Sequence, residues 1–263
     1  MRRGKRTFPQ KVFFPSSSTD PYWVQSFSLN TMIKNFIIKE FANWHPAEWA
    51  WMGFCTLFTV GLSLYIGDTG FGTAAAVTGV LYSLWAGKGK LSCYFFGIFN
   101  SFAYGLIAFK ATLYGEVLLN WGWYLPMMFA GLFFWKKHLK AEVQEIIKRA
   151  LSWQYRLLTA GIALAGTAAG AFILHKLGDQ APVLDAFTTV LSVIAMVLTV
   201  KRCVEQWAIW TMVNIASIYM WYKVYLTGSG SIAILLMWLL ALINGVIFYC
   251  LWQREMKNEL QRK

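Results

Sequence analysis

Apolar residues run through this chain in long blocks separated by short polar turns. Eight blocks are read, at 46–66, 70–86, 91–110, 117–135, 156–175, 183–200, 203–226 and 230–252, here called A to H. Each is about 17 to 24 residues long, the length a helix needs to cross a hydrocarbon layer of roughly 30 Å at about 1.5 Å per residue. Several connections carry glycine ("GDTG", "GKGK", "LYGE", "TGSGS"), which suits tight reversals between antiparallel helices. The pattern predicts an all-α integral membrane protein with eight transmembrane helices. Ahead of block A, Phe27, Ile33, Phe36, Ile37, Phe41 and Trp44 recur at near-helical spacing with Lys34, Lys39 and Glu40 between them. This reads as an amphipathic helix on the membrane surface rather than a ninth span. "MRRGKR" leads into a polar stretch instead of an apolar core, so no cleavable signal is expected.

Composition agrees with the blocks. The 263 residues are 57% hydrophobic and 14% charged, and the mean hydropathy is +0.47. A soluble core could not absorb this. The net charge of +12 invites a nucleic-acid reading, which its placement removes. With a cytoplasmic N-terminus, 21 of the 24 basic residues fall on the cytoplasmic side, leaving Lys110, Lys176 and Lys223 opposite. The positive-inside rule therefore supports an even helix count with both termini cytoplasmic, and no nucleic acid is expected as a partner. Cys55, Cys93, Cys203 and Cys250 form no CxxC pair, and His45, His138 and His175 lie scattered near helix ends. Neither a disulfide framework nor a metal site follows, and no cofactor is expected.

The two halves resemble each other. "KGKLSCYFFGIFNSFAYGLIAFKATLYGEVLLN" parallels "VKRCVEQWAIWTMVNIASIYMWYKVYLTGSGS", so that Asn100 falls opposite Asn214. Blocks A to D map onto E to H, and four helices between equivalents make the repeats parallel. Transporters built this way hold substrate near the midplane, between the repeats.

Few polar residues lie inside the blocks, and each needs a partner, because a buried amide without one is costly. Asn100 in C, Asn120 in D, Asn214 in G and Asn244 in H form a set paired by the repeat. Contacts between helices explain any one of them. In G, however, Trp207, Trp210, Asn214, Ser217 and Trp221 share one helical face. Wide rings suit close helix packing poorly, whereas flat faces beside a directed amide suit a flat, polar or cationic ring. This face is expected to be the wall of a binding pocket.

No Asp, Glu, Lys, Arg or His occupies the middle third of a block; Lys110, Glu116, Asp185, Glu205 and Lys223 all lie near ends. Ion coupling usually needs such a group in the membrane, and there is no GxxxxGK[ST] loop for ATP. Facilitated diffusion is the mechanism these absences leave. An enzyme would need converging nucleophiles, acids or metal ligands, and no such cluster is visible. A membrane ligand sensor is the other class that composition leaves open.

"GKGKLSCYFFGIFN", "LYGE" and "KRCVEQWAIWTMVNIAS" resemble the repeated signatures of the PnuC-type vitamin transporters, over roughly residues 70–254. The resemblance implies two parallel three-helix bundles joined by a connector, as in the SWEET sugar transporters. The organisation is then a cytoplasmic tail and surface helix (1–45), an additional transmembrane helix (46–69), a first bundle (70–135), a basic cytoplasmic linker (136–155), the connector (156–180), a second bundle (181–252) and a cytoplasmic tail (253–263). It further implies uncoupled uptake of nicotinamide riboside across the bacterial inner membrane, with trapping by a cytoplasmic kinase. Relatives carrying thiamine or riboflavin are the alternative. A homo-oligomer, a trimer, is implied by the resemblance alone. Carried over by position, the expected substrate-binding residues are Tyr94, Asn100, Asn120, Trp207, Trp210, Asn214 and Asn244.

Overall fold

The computed structural model describes residues 31, 34–140, 145–178, 182–228 and 231–261. It divides into two units, Met1–Phe41 and Ala42–Lys263. In the first, residues 34–40 are helical, and Phe36, Ile37 and Phe41 are exposed. Phe27 and Ile33, which share that expected helix, lie outside the described residues. Trp44 belongs to the second unit and packs on Trp49 and Trp85, at 5.3 Å and 4.8 Å between ring centroids.

The second unit contains α1 (Pro46–Ile66), α2 (Gly70–Lys88), α3 (Cys93–Lys110), the single turn α4 (Tyr114–Val117), a π-helical segment (Leu118–Tyr124), α5 (Leu125–Lys136), α6 (Trp153–Lys176), α7 (Pro182–Val200), α8 (Glu205–Leu226) and α9 (Ile232–Gln261). Among the described residues strand pairing is limited to isolated bridges. The helices begin within about three residues of blocks A to H because the signals that start and stop them are local. The His45 amide donates to Glu48 Oε2 at 2.8 Å ahead of Pro46. Thr69 caps α2 by accepting from the Gly72 amide at 3.0 Å. Gly67 and Gly89 end α1 and α2 in the left-handed conformation, at φ 78° and 71°. The last helix runs past the apolar block because "QREMKNELQ" remains helical in sequence and needs no bilayer.

Six of these elements close a ring: α2 packs on α3, α3 on α5, α5 on α7, α7 on α8, α8 on α9, and α9 back on α2. Helix α1 lies outside the ring against α2 and α9, while α6 packs on α7 and reaches α8 through the Arg156–Glu205 pair. The segments Pro46–Ile66, Tyr114–Lys136, Trp153–Lys176, Pro182–Val200 and Ile232–Asn258 are long and apolar enough to cross a membrane. Helices α2, α3 and α8 fall short of that apolarity, and the reason is visible in their sequences. They carry glycines, hydroxyls, amides and indoles, which reduce hydropathy, and they are ring members whose inner faces meet no lipid.

The turns at one end are tied together by the segment between α5 and α6. The Ile146 amide donates to Gly89 O at 3.0 Å, the Arg149 amide to Arg202 O at 3.1 Å, and the Val204 amide to Arg149 O at 2.9 Å. Lys148 pairs with Glu255 near the end of α9 and lies over the Trp252 ring at 5.1 Å. Burial pushes the Lys148 ammonium below the usual lysine range, and the Glu255 carboxylate pulls it back up. At the opposite end, Asp68 accepts from Ser231 Oγ at 2.7 Å and from the Ala233 amide at 2.9 Å. A carboxylate there complements the positive end of α9.

Candidate functional site

Within the ring lies a cavity of about 110 Å³, measured as space open to the centre of a water molecule. One water needs only about 10–15 Å³ on that measure, so the space suits several waters or a small planar solute. All six ring elements contribute side chains.

From α8 come Gln206, Trp207, Trp210 and Asn214. Trp210 is aimed by its indole N–H, which donates to Thr199 Oγ1 of α7 at 3.0 Å, and its ring meets Tyr124 at 5.9 Å. Trp207 is braced from behind by Phe248 and Trp252, at 5.4 Å and 5.6 Å between centroids. Trp252 is fixed in turn by a bond from its indole N–H to Gly87 O at 2.6 Å. The rings therefore present faces in fixed orientations.

Asn100 on α3 donates its amide hydrogens to Ala75 O at 2.8 Å and to Met237 Sδ at 3.5 Å. Asn120 donates to Glu116 O at 2.9 Å and to Glu116 Oε2 at 3.5 Å. Each amide thus has its N–H groups engaged, so its carbonyl oxygen remains to accept from a ligand. Further polar atoms lack partners among the described residues: the Tyr82 hydroxyl, the Gln206 side-chain nitrogen and the Trp207 indole nitrogen. Buried polar groups left this way are uncommon and mark places where a ligand or water completes the bonding.

The π-helical segment Leu118–Tyr124 shapes this wall. A π segment carries an extra residue per turn and recurs at functional sites. Here it directs Asn120 and Tyr124, four residues apart, toward the cavity.

Five of the seven residues expected from sequence meet at the cavity: Asn100, Asn120, Trp207, Trp210 and Asn214. The other two lie elsewhere. Tyr94 is fully buried against Trp135, edge to face at 5.0 Å, and fills the recess left by Gly131, where a Cβ would come within 2.3 Å of its ring. Asn244 joins three helices: Trp51 of α1 donates to its Oδ1 at 2.8 Å, and its Nδ2 donates to Ser83 Oγ of α2 at 2.7 Å. Both ends of its amide are engaged inside the protein. Sequence reasoning missed Tyr104, Gln206, Tyr82, Ser83 and Trp238. For Tyr104 and Gln206 a signal existed, since each lies four residues from a predicted site residue, Asn100 and Trp210. For Tyr82 and Ser83 none did, because α2 carries no amide or charge to mark its inner face.

A ring of apolar helices thus encloses a cavity with fixed indole faces and amide acceptors, the arrangement of a helical membrane protein with room for a small planar solute. A sequence model of the family "Nicotinamide mononucleotide transporter" matches residues 69–254. The nicotinamide riboside transporter PnuC of Neisseria mucosa is 35% identical over 223 residues, covering 83% of this chain and 85% of that protein. The PnuC of Haemophilus influenzae is 28% identical, covering 84% and 96%. The crystal structure of the vitamin B3 transporter PnuC superposes with a TM-score of 0.78 at 34% identity, covering 85% of this chain and 98% of that one. The chain belongs to this family, the PnuC transporters.

Proposed function

We propose that this protein carries nicotinamide riboside across the bacterial inner membrane by facilitated diffusion, and that it is not an enzyme. A cytoplasmic kinase traps the cargo. The observation that carries the reading is the cavity lining: indole and phenol faces to stack a heteroaromatic ring, amide oxygens for a carboxamide and ribose hydroxyls, and no Lys, Arg or His among the lining residues. The last point separates the riboside from the mononucleotide, whose phosphate calls for a cationic partner. The cavity wall also holds no Asp, Glu or His, which is the basis for an uncoupled mechanism.

In proteoliposomes containing the purified chain, labelled nicotinamide riboside is expected to equilibrate and then stop. Collapse of proton and sodium gradients leaves that flux unchanged. Nicotinamide mononucleotide, thiamine and riboflavin compete poorly. Accumulation above the outside concentration under an imposed ion gradient, with no kinase present, overturns the uncoupled mechanism. Equal competition by the mononucleotide overturns the choice of cargo.

The same reading includes eight spans, a parallel internal repeat, both termini in the cytoplasm and a trimeric assembly. The grouping of Lys88, Lys90, Lys148, Arg149 and Arg202 around the segment between α5 and α6 at one end supports that orientation. In a background without the four native cysteines, Thr227→Cys is expected to react with an impermeant maleimide added to intact cells, and Lys137→Cys to stay unlabelled. The reverse pattern overturns the topology.

A further inference from the structure

We propose that Glu116 makes the cavity selective for a positively charged aromatic ring, an inference that rests on the nucleoside reading above. Nicotinamide riboside is a pyridinium: its ring nitrogen bears the glycosidic bond and a full positive charge. Stacking faces and amide oxygens recognise its shape but not its charge, and no anionic side chain lines the cavity. Glu116 stands directly behind the wall. Its Oε2 accepts from Asn120 Nδ2 at 3.5 Å, and its backbone oxygen accepts from the same amide at 2.9 Å. The carboxylate also reaches the Tyr104 hydroxyl. That hydroxyl already accepts from the Trp221 indole N–H, so its own proton is free to point at the carboxylate. Tyr104 and Asn120 both line the cavity.

One carboxylate is thus joined to the wall through two lining side chains, and the lining contains no basic group to oppose it. A Coulomb interaction falls only as the inverse of distance and is weakly screened where little water enters. In its ionised form the Glu116 carboxylate therefore favours a cation in the cavity over a neutral molecule of the same outline and disfavours an anion. Glu116 acts through Asn120 and Tyr104 rather than by contact. It is a specificity-determining residue for N-substituted aromatic cations.

The test uses two ligands of nearly one shape. Nicotinamide riboside carries the charge; its dihydro form, one hydride richer in the ring, is neutral. Titration calorimetry on the full-length chain in detergent is expected to show the wild type binding the cation about tenfold or more tightly than the neutral analogue. In Glu116→Gln that ratio collapses toward unity, chiefly through loss of cation affinity, and in Glu116→Asp it is largely kept. An unchanged ratio in Glu116→Gln overturns the proposal while leaving nicotinamide riboside as cargo. Equal weakening of both ligands also overturns it, since that marks a structural role. If the wild type binds neither ligand, the nucleoside reading fails and this inference with it.

Discussion

Alanine at Trp210 or Asn214 is expected to weaken binding of nicotinamide riboside by about 10- to 100-fold, which corresponds to roughly 1.4–2.7 kcal/mol. Trp210 is a stacking face held in place by its bond to Thr199 Oγ1. Removing the ring deletes a contact worth about 0.5–2 kcal/mol for a cation over an indole and leaves a hole that water must fill. Asn214 contributes a directed amide on the same face of α8. Trp153 provides the comparison: it stands 69% exposed at the start of α6, away from the cavity, and its alanine variant should bind normally. Titration calorimetry on the three variants decides the matter. Equal, small losses in all three return the aromatics of α8 to a packing role.

Asn244→Ala should produce the opposite pattern, with affinity for the substrate nearly retained and stability lowered by about 2–4 kcal/mol. The asparagine side chain links α1, α9 and α2 by accepting from Trp51 and donating to Ser83. Its loss strands the Trp51 indole N–H, which costs about 1–3 kcal/mol for a buried group, opens a small cavity and removes the donor to Ser83, whose hydroxyl keeps its bond to Val80 O at 2.9 Å. Trp51→Phe removes only one of the two bonds and should cost about half as much. Thermal unfolding in detergent, followed alongside calorimetric affinity, reads both quantities. A variant of normal stability that has lost its ligand places Asn244 in the cavity and sinks this assignment.

These two asparagines show what was legible in the sequence. Hydropathy located the helices, each of which begins within about three residues of a block read from the sequence. On α8 the alternating three- and four-residue spacing placed Trp207, Trp210 and Asn214 on one inner face, where they stand. Asn244 could not be sorted the same way. It follows cavity-lining Ala241 by three residues, so its helical face points nearly the same way, and only the position of α1 explains why Trp51 takes up its oxygen. Tyr94 is a different failure. It lies six residues from Asn100, a rotation of about 240° on a helix, which already turned it away from the cavity. The π-helical segment left no trace, since "LLNWGWY" reads as an ordinary apolar stretch in any hydropathy window. Glu116 was read as lying near a helix end and does so, in the first turn of α4; nothing in the sequence marked its bond to Asn120 on the cavity wall.

The segment 145–151 carries one more consequence. Its backbone holds the turn after α2 through Gly89 and the turn after α7 through Arg202 and Val204, while Leu151 donates its amide to the Glu205 carboxylate at 3.1 Å. The two halves of the chain are therefore stitched across one mouth of the ring by main-chain bonds, and they cannot swing apart there as independent blocks. Widening that mouth means unzipping the main-chain stitch, whereas the far mouth is tied between the halves by a side chain, that of Asp68, through Ser231 Oγ and the Ala233 amide. Thermal fluctuation alone should open the two sides at unequal rates, so under the uncoupled mechanism proposed above the molecule would still have a slow door and a fast one.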